Sequence, residues 1–144
     1  MARPKKNTVD YFSHDCFQSK SLHIINQLHG NDGYAFYFKL REILGRTDNH
    51  AYDCTKFGAW EYLLTETELT EDNAKKIMQT LFDLGELDEE LYNDFGILWW
   101  QSFVDLLEDV YSRRKNNIPN KINIFVEENG RTNDDMIMEY DSEI

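Results

Sequence analysis

The sequence predicts a mainly α-helical fold with a small β-wing, a winged helix-turn-helix with extra flanking helices. Three observations predict it: a capped amphipathic segment over 70–84, a shorter apolar-faced segment before it, and two short β-prone runs after it. Along the chain, residues 21–29 make a short helix in which Leu22, Ile25 and Leu28 recur at helical spacing and Gly30 is the stop. Asn31-Asp32 can cap a second helix whose stripe of Phe36, Tyr37, Leu40, Ile43 and Leu44 ends near Gly45. Residues 51–54 read as one short strand. Phe57, Trp60, Leu63 and Leu64 share one side of a third helix.

Residues 70–84 carry the clearest signal. Thr70 is a good N-cap, Glu71 and Asp72 favour the positive end of the helix dipole, and Ala74, Ile77, Met78, Leu81 and Leu84 form one apolar face before Gly85. Residues 86–92 and 96–100 are β-prone and separated by Asn93-Asp94-Phe95, which suits a hairpin. Residues 101–115 return to helical period through Phe103, Leu106, Leu107 and Val110, with Arg113-Arg114-Lys115 at the end where cations complement the dipole. In this order, 59–65 and 70–84 are the helix-turn-helix and 87–100 is the wing. Of Trp99 and Trp100, strand alternation predicts one facing in and one out.

The chain has 144 residues, 41% hydrophobic and 29% charged, the composition of one ordinary globular domain. That domain is read over 1–118, with 119–144 as an acidic tail or an added hairpin; Pro119 marks the boundary. With no signal peptide and no membrane-length apolar run, the expectation is a soluble intracellular protein with no membrane partner. Cys16 and Cys54 then read as reduced thiols acting as small core hydrophobes. His23 and His29 read as surface residues. His14, Cys16, His50 and Cys54 are zinc-ligand types, but the mixed pairs His-x-Cys and His-x-x-x-Cys lack the usual spacing, so no metal or other cofactor is expected. Phosphate-cradling, nucleophile-elbow and zinc-protease motifs are absent, and no carboxylate pair stands out as acid and base, so the chain reads as non-enzymatic.

Charge is segmented. The net charge is −12, yet residues 1–46 hold seven Lys/Arg against four Asp/Glu, and residues 111–126 hold four basic residues and no acid. Residues 47–110 hold three against sixteen, and residues 127–144 one against seven. The exposed side of the 70–84 helix would offer Lys75 and Lys76 to phosphates, and Asn73 or Gln79 to an adenine edge. Glu68, Glu71 and Asp72 crowd its N-terminus, however, and Asp88, Glu89, Glu90 and Asp94 line the wing, so docking by this helix meets repulsion from phosphate. The basic spots Arg3, Lys5, Lys6 and Arg113, Arg114, Lys115 are the better nucleic-acid candidates. The carboxylates of Glu71, Asp72, Asp88, Glu89, Glu90 and Asp94 are instead a candidate protein interface.

Three blocks carry a family resemblance. The opening Met1-Ala-Arg-Pro-Lys-Lys with Tyr11-Phe-Ser-His-Asp15, the block Gly30-Asn-Asp-Gly-Tyr-Ala-Phe-Tyr-Phe-Lys-Leu40, and the run Gly96-Ile-Leu-Trp-Trp-Gln-Ser-Phe-Val-Asp105 resemble the N-terminal winged-helix domain of phage and prophage replisome-organiser proteins related to DnaD. The resemblance covers roughly residues 1–118. It implies a role in starting DNA replication: origin DNA binding, homo-oligomer assembly, and contact with a replication protein such as the helicase or its loader. Organisers of this kind usually continue into a second domain. The alternative expectation, from the acidic wing, the small size, the missing second domain and the high negative charge, is an acidic phage-encoded inhibitor occupying the DNA-binding groove of a host nuclease or replication protein.

Overall fold

The computed structural model describes residues 6–121. Arg3, Lys5 and the expected tail from residue 122 onward lie outside the described residues. The Ser19 hydroxyl accepts a hydrogen bond from the Leu22 amide (3.1 Å) and caps α1, Lys20–Gly45. Gly30 breaks α1 into the two helices expected from sequence: its φ of 63° and ψ of −149° lie where only glycine is comfortable. Gly33 serves a different purpose. A methyl group there would stand 2.7 Å from His29 Cβ and 2.9 Å from Ile25 Cγ2, so the absent side chain lets the two halves of α1 close on each other.

A single 3₁₀ turn, Asp48–His50, leads into β1, Tyr52–Asp53. Then come α2, Ala59–Thr67, and α3, Glu71–Asp83, whose Thr70 hydroxyl accepts from the Asn73 amide as the sequence predicts. Next is α4, Glu89–Phe95, where a wing strand was expected. The reason is local: the Asp88 carboxylate accepts from the Leu91 amide (2.9 Å), Glu89 and Glu90 sit at the positive end of the dipole, and the helix ends at Gly96. These end signals outweigh the β-preference of Leu91 and Tyr92. The hairpin over 86–100 is therefore absent, and β2, Ile97–Leu98, pairs antiparallel with β1 in the register Tyr52 to Leu98 and Asp53 to Ile97. The helix expected over 101–115 is two helices, α5 (Gln101–Leu106) and α6 (Glu108–Arg114), because Leu107 leaves helical geometry at φ −89°, ψ 3°.

The architecture of the described residues is thus mainly helical with a two-stranded antiparallel sheet. No helix among them is long and apolar enough to cross a membrane. The main core joins Phe36, Leu40 and Leu44 of α1 to Leu63 of α2, Ile77 and Leu81 of α3, and Phe103 and Tyr111. A second cluster of Leu91, Ile97, Trp99 and Val104 lies under α4. Both tryptophans are interior, Trp99 at 1% and Trp100 at 0% exposure, against the expected alternation. Strand β2 stops before them, so each serves a different cluster, and α4 covers the side that a bare wing would leave wet. Leu28 is 64% exposed, and Phe57 precedes α2 and is fully exposed, so neither joins its expected apolar face. Cys16 is exposed rather than a core thiol, whereas Cys54 is half-buried and its thiol is pushed up to about 12 by burial and by Asp53.

One polar network crosses this core. The Arg41 guanidinium lies 4.5 Å from the ring centres of both Tyr37 and Trp100, and its Nη2 donates to the Tyr37 hydroxyl (2.8 Å). Glu86, in the turn between α3 and α4, accepts from Ser21 Oγ (2.7 Å), Trp100 Nε1 (2.8 Å) and Ser102 Oγ (2.7 Å). Burial pushes the Glu86 carboxyl up, but the hydrogen bonds from Ser21, Ser102 and Trp100 and the charge of Arg41 together hold it below the usual range.

The two glycines of α1 give a direct test. Gly30→Ala costs about 1–3 kcal/mol through backbone strain in open space, and Gly33→Ala costs about 1–3 kcal/mol through overpacking against Ile25. Urea unfolding measures both. An unchanged midpoint for Gly33→Ala would show that the halves of α1 are not in contact there.

Candidate nucleic-acid interface

Lys6, the described residue of the N-terminal basic spot, meets the C-terminal spot in the fold although more than a hundred residues separate them in sequence. Residues 6–9 form a strap whose Val9 amide donates to the Gly45 carbonyl (2.7 Å) and whose Val9 side chain is buried. Asn7 holds the strap to the 3₁₀ turn, with its Nδ2 donating to Asn49 Oδ1 (2.9 Å) and its carbonyl accepting from the Asn49 amide (3.2 Å). On the other side, Arg114 Nη1 donates to the carbonyls of Thr8 (2.6 Å) and Lys6 (3.4 Å), and Asn116 Nδ2 donates to the Lys6 carbonyl (3.3 Å). Lys6 is thereby fixed beside the Arg113-Arg114-Lys115 end of α6.

Arg114 is half-buried and bonded to neutral carbonyls, which orient its charge without cancelling it. Arg113 and Lys115 are exposed. Lys6 pairs with Asp10 at 3.0 Å across an exposed i, i+4 step, a contact of the kind worth at most a few tenths of a kcal/mol. The corner as a whole is positive.

A buried histidine supports it from beneath. His50 is fully buried; its Nδ1–H donates to the Leu44 carbonyl (2.8 Å), and its Nε2 accepts from the Tyr111 hydroxyl. Tyr111 lies one turn before Arg114, whose guanidinium sits 5.5 Å from the Tyr111 ring centre. Burial drives the His50 pKa down, the Leu44 hydrogen bond opposes this, and the charge of Arg114 adds to the lowering. Burial also pushes the Tyr111 phenol up to about 12. Both groups are therefore neutral near pH 7, which the two hydrogen bonds require.

The other candidate residues are placed differently. On α3, Lys75 pairs with Glu71 (3.2 Å) and Lys76 is exposed beside the acidic first turn. The Gln79 amide donates to Asp83 (2.9 Å) and Glu89 (3.1 Å), and Thr80 bonds to His29 across to α1 (2.8 Å). His29 is thus a half-buried bridge rather than a surface residue, while His23 is exposed. Among the carboxylates, Asp88 caps α4 and pairs with Lys121 at 2.7 Å, and Glu89 holds Gln79. Glu71 and Asp94 line one shallow groove with Trp60, Tyr92 and Lys75, whereas Asp72 and Glu90 are exposed. The six carboxylates do not act alike, because two of them serve the fold.

Among the described residues no three potential metal ligands come together. His14 stacks on Phe38 with ring centres 3.9 Å apart, and both nitrogens of His50 are engaged. Sequence reasoning did not single out Asn7, Tyr111 or Asn116, whose partners lie 42, 61 and 110 residues away. No local pattern signals pairings of that separation.

The His50 site makes stability depend on pH. Its folded pKa lies below the ordinary 6.5, so between the two values the unfolded chain binds more protons, and stability falls as pH drops below about 6.5. His29, lowered by burial, adds in the same direction. The urea midpoint should therefore be lower at pH 5.5 than at pH 7.5, by at most about 1.4 kcal/mol per pH unit for each group. His50→Gln should flatten this dependence, and an unaltered pH profile in that variant would contradict the assignment. No family model, no curated protein and no solved structure matches this chain.

Proposed function

We propose that this chain is a non-enzymatic winged-helix protein of phage or prophage DNA-replication initiation, of the replisome-organiser kind related to DnaD, which touches DNA at the Lys6–Lys115 corner. The observation that carries the reading is the tie from Arg114 and Asn116 to the Lys6 carbonyl, which sets Lys6 beside the Arg113-Arg114-Lys115 end of α6. The pair α2 and α3, separated by Glu68, Leu69 and Thr70, has a short turn of helix-turn-helix length, and this together with the small β1–β2 sheet supports the reading. Around α3 the Glu71 and Asp72 carboxylates repel phosphate, so the helix that reads bases in the usual docking mode is poorly suited to it here.

The net charge of −12 does not oppose this. At physiological ionic strength the screening length is about 8 Å, so the sign of the nearest charges governs a phosphate contact. The remaining surface is left for protein contacts, with a helicase or helicase loader as the partner class the family resemblance implies. The competing inhibitor reading needs a continuous face of free carboxylates, and Asp88 and Glu89 are engaged within the fold.

Fluorescence anisotropy against duplex and single-stranded DNA at two salt concentrations tests the proposal. Binding should saturate and weaken steeply with salt. Arg113→Ala with Lys115→Ala should lower affinity about tenfold or more and reduce the salt slope by about 2. Lys75→Ala with Lys76→Ala should leave affinity within about twofold, since these cations are assigned no phosphate contact. Absence of binding at low salt would overturn the reading.

A further inference from the structure

We infer that the groove between α2, α3 and α4 is a docking site for an arginine-bearing segment of a partner protein. The inference does not rest on the nucleic-acid reading. About 530 Å³ of space lies between Thr55 after β1, Trp60 of α2, Glu71 of α3, and Tyr92 and Asp94 of α4. The walls are tied together: the Cys54 amide donates to the Gly96 carbonyl (2.9 Å), and Thr55 Cγ2 occupies the place a side chain on Gly96 would need. The space is therefore built into the fold. Its surroundings are acidic. Residues 47–110 hold sixteen acidic groups against Lys56, Lys75 and Lys76, and of these three only Lys75 lines the groove, where it pairs with Glu71 (3.2 Å). Asp94 is exposed and has no cation paired with it among the described residues.

Two further observations point to a polypeptide rather than a small cation. The Trp60 Nε1–H is buried with no acceptor among the described residues, whereas Trp99 Nε1 donates to Gln101 (3.0 Å) and Trp100 Nε1 to Glu86 (2.8 Å). A main-chain carbonyl laid along the groove supplies the acceptor that buried donors ordinarily have. Phe57 is fully exposed in the loop between the lining residues Thr55 and Trp60, and offers an aromatic contact of the kind enriched where proteins meet. Arginine fits this surface better than lysine. Its planar guanidinium lies flat on a ring such as Tyr92 or Trp60 and forks onto a carboxylate such as Asp94, and a compact ammonium does neither as well.

The test titrates the full chain with the blocked peptide Gly-Ala-Arg-Leu-Arg-Ala-Gly and follows the indole N–H resonances by NMR, with Trp60→Phe identifying that of Trp60. The Trp60 resonance should shift and saturate while those of Trp99 and Trp100 stay in place. The same peptide with lysine for arginine should bind about threefold more weakly. Glu71→Gln with Asp94→Asn should weaken the arginine peptide about tenfold, and Lys75→Gln should tighten it about threefold, a gain that misfolding cannot produce. An unmoved Trp60 resonance, equal affinity for the lysine peptide, or unaltered affinity in these variants overturns the inference. Free arginine saturating the shift at the same concentration would mark a small-molecule site and overturn it as well. So would a shift that grows with protein concentration in the absence of peptide, the mark of a second copy in the groove. No arm of the experiment involves DNA, so its failure leaves the nucleic-acid reading untouched.

Discussion

A half-buried guanidinium laid against the aromatic wall of the core dictates much of this fold. Arg41 lies against the faces of Tyr37 and Trp100, with Phe103 at 5.6 Å, and a charge removed this far from water is costly unless aromatic faces, hydrogen bonds and an opposite charge offset it. Different parts of the chain supply them, Tyr37 from α1, Trp100 from the start of α5 and Glu86 from the turn after α3, while Arg41 Nε itself is buried without a hydrogen-bond partner among the described residues. Glu86 also gathers Ser21 and Ser102, so the beginning of α1 and the beginning of α5 are fixed relative to the end of α3. Moving any one of them leaves a buried donor or charge unpaired, which costs about 1–3 kcal/mol for a neutral group and more for a charged one. That constraint sets the place of α5, and through it of α6 and the basic corner.

What could be read in the sequence follows from how local each signal is. The capped, one-faced α3 and the break at Gly30 were legible because Thr70, Gly85 and the Gly30–Gly33 pair act within a turn or two of themselves. The same logic applied to Asp88-Glu89-Glu90 and Gly96 gives α4, yet there the β-preference of the neighbouring apolar residues pointed to a hairpin. Strand β2 was in the right place, but its partner is β1, more than forty residues earlier, and nothing local names a strand's partner. The break at Leu107 has no glycine or proline to announce it. The interior position of both tryptophans depends on α4 covering one of them.

The candidate site shows the same division. Each basic spot is plain in the sequence as a run of Lys and Arg, and the crowding of acid around α3 is equally plain. The approach of Lys6 to the C-terminal spot is not, since it depends on Asn7, Asn49, Tyr111 and Asn116, residues that look ordinary one at a time, and on His50, whose type suggested a metal ligand rather than a core hydrogen bond. Charge type is a property of composition, whereas charge position depends on the long-range hydrogen bonds that hold the strap of residues 6–9 between α1 and α6.

In the proposed function, a corner built from opposite ends of the described chain meets phosphate, and α3 does not. Titration of the full chain with a short duplex, followed residue by residue through its backbone amide resonances, separates the two. Lys6, Arg113 and Lys115 should move first and saturate together, with Asn73, Lys76 and Gln79 of α3 unmoved. Movement led by α3, with the corner silent, would contradict it.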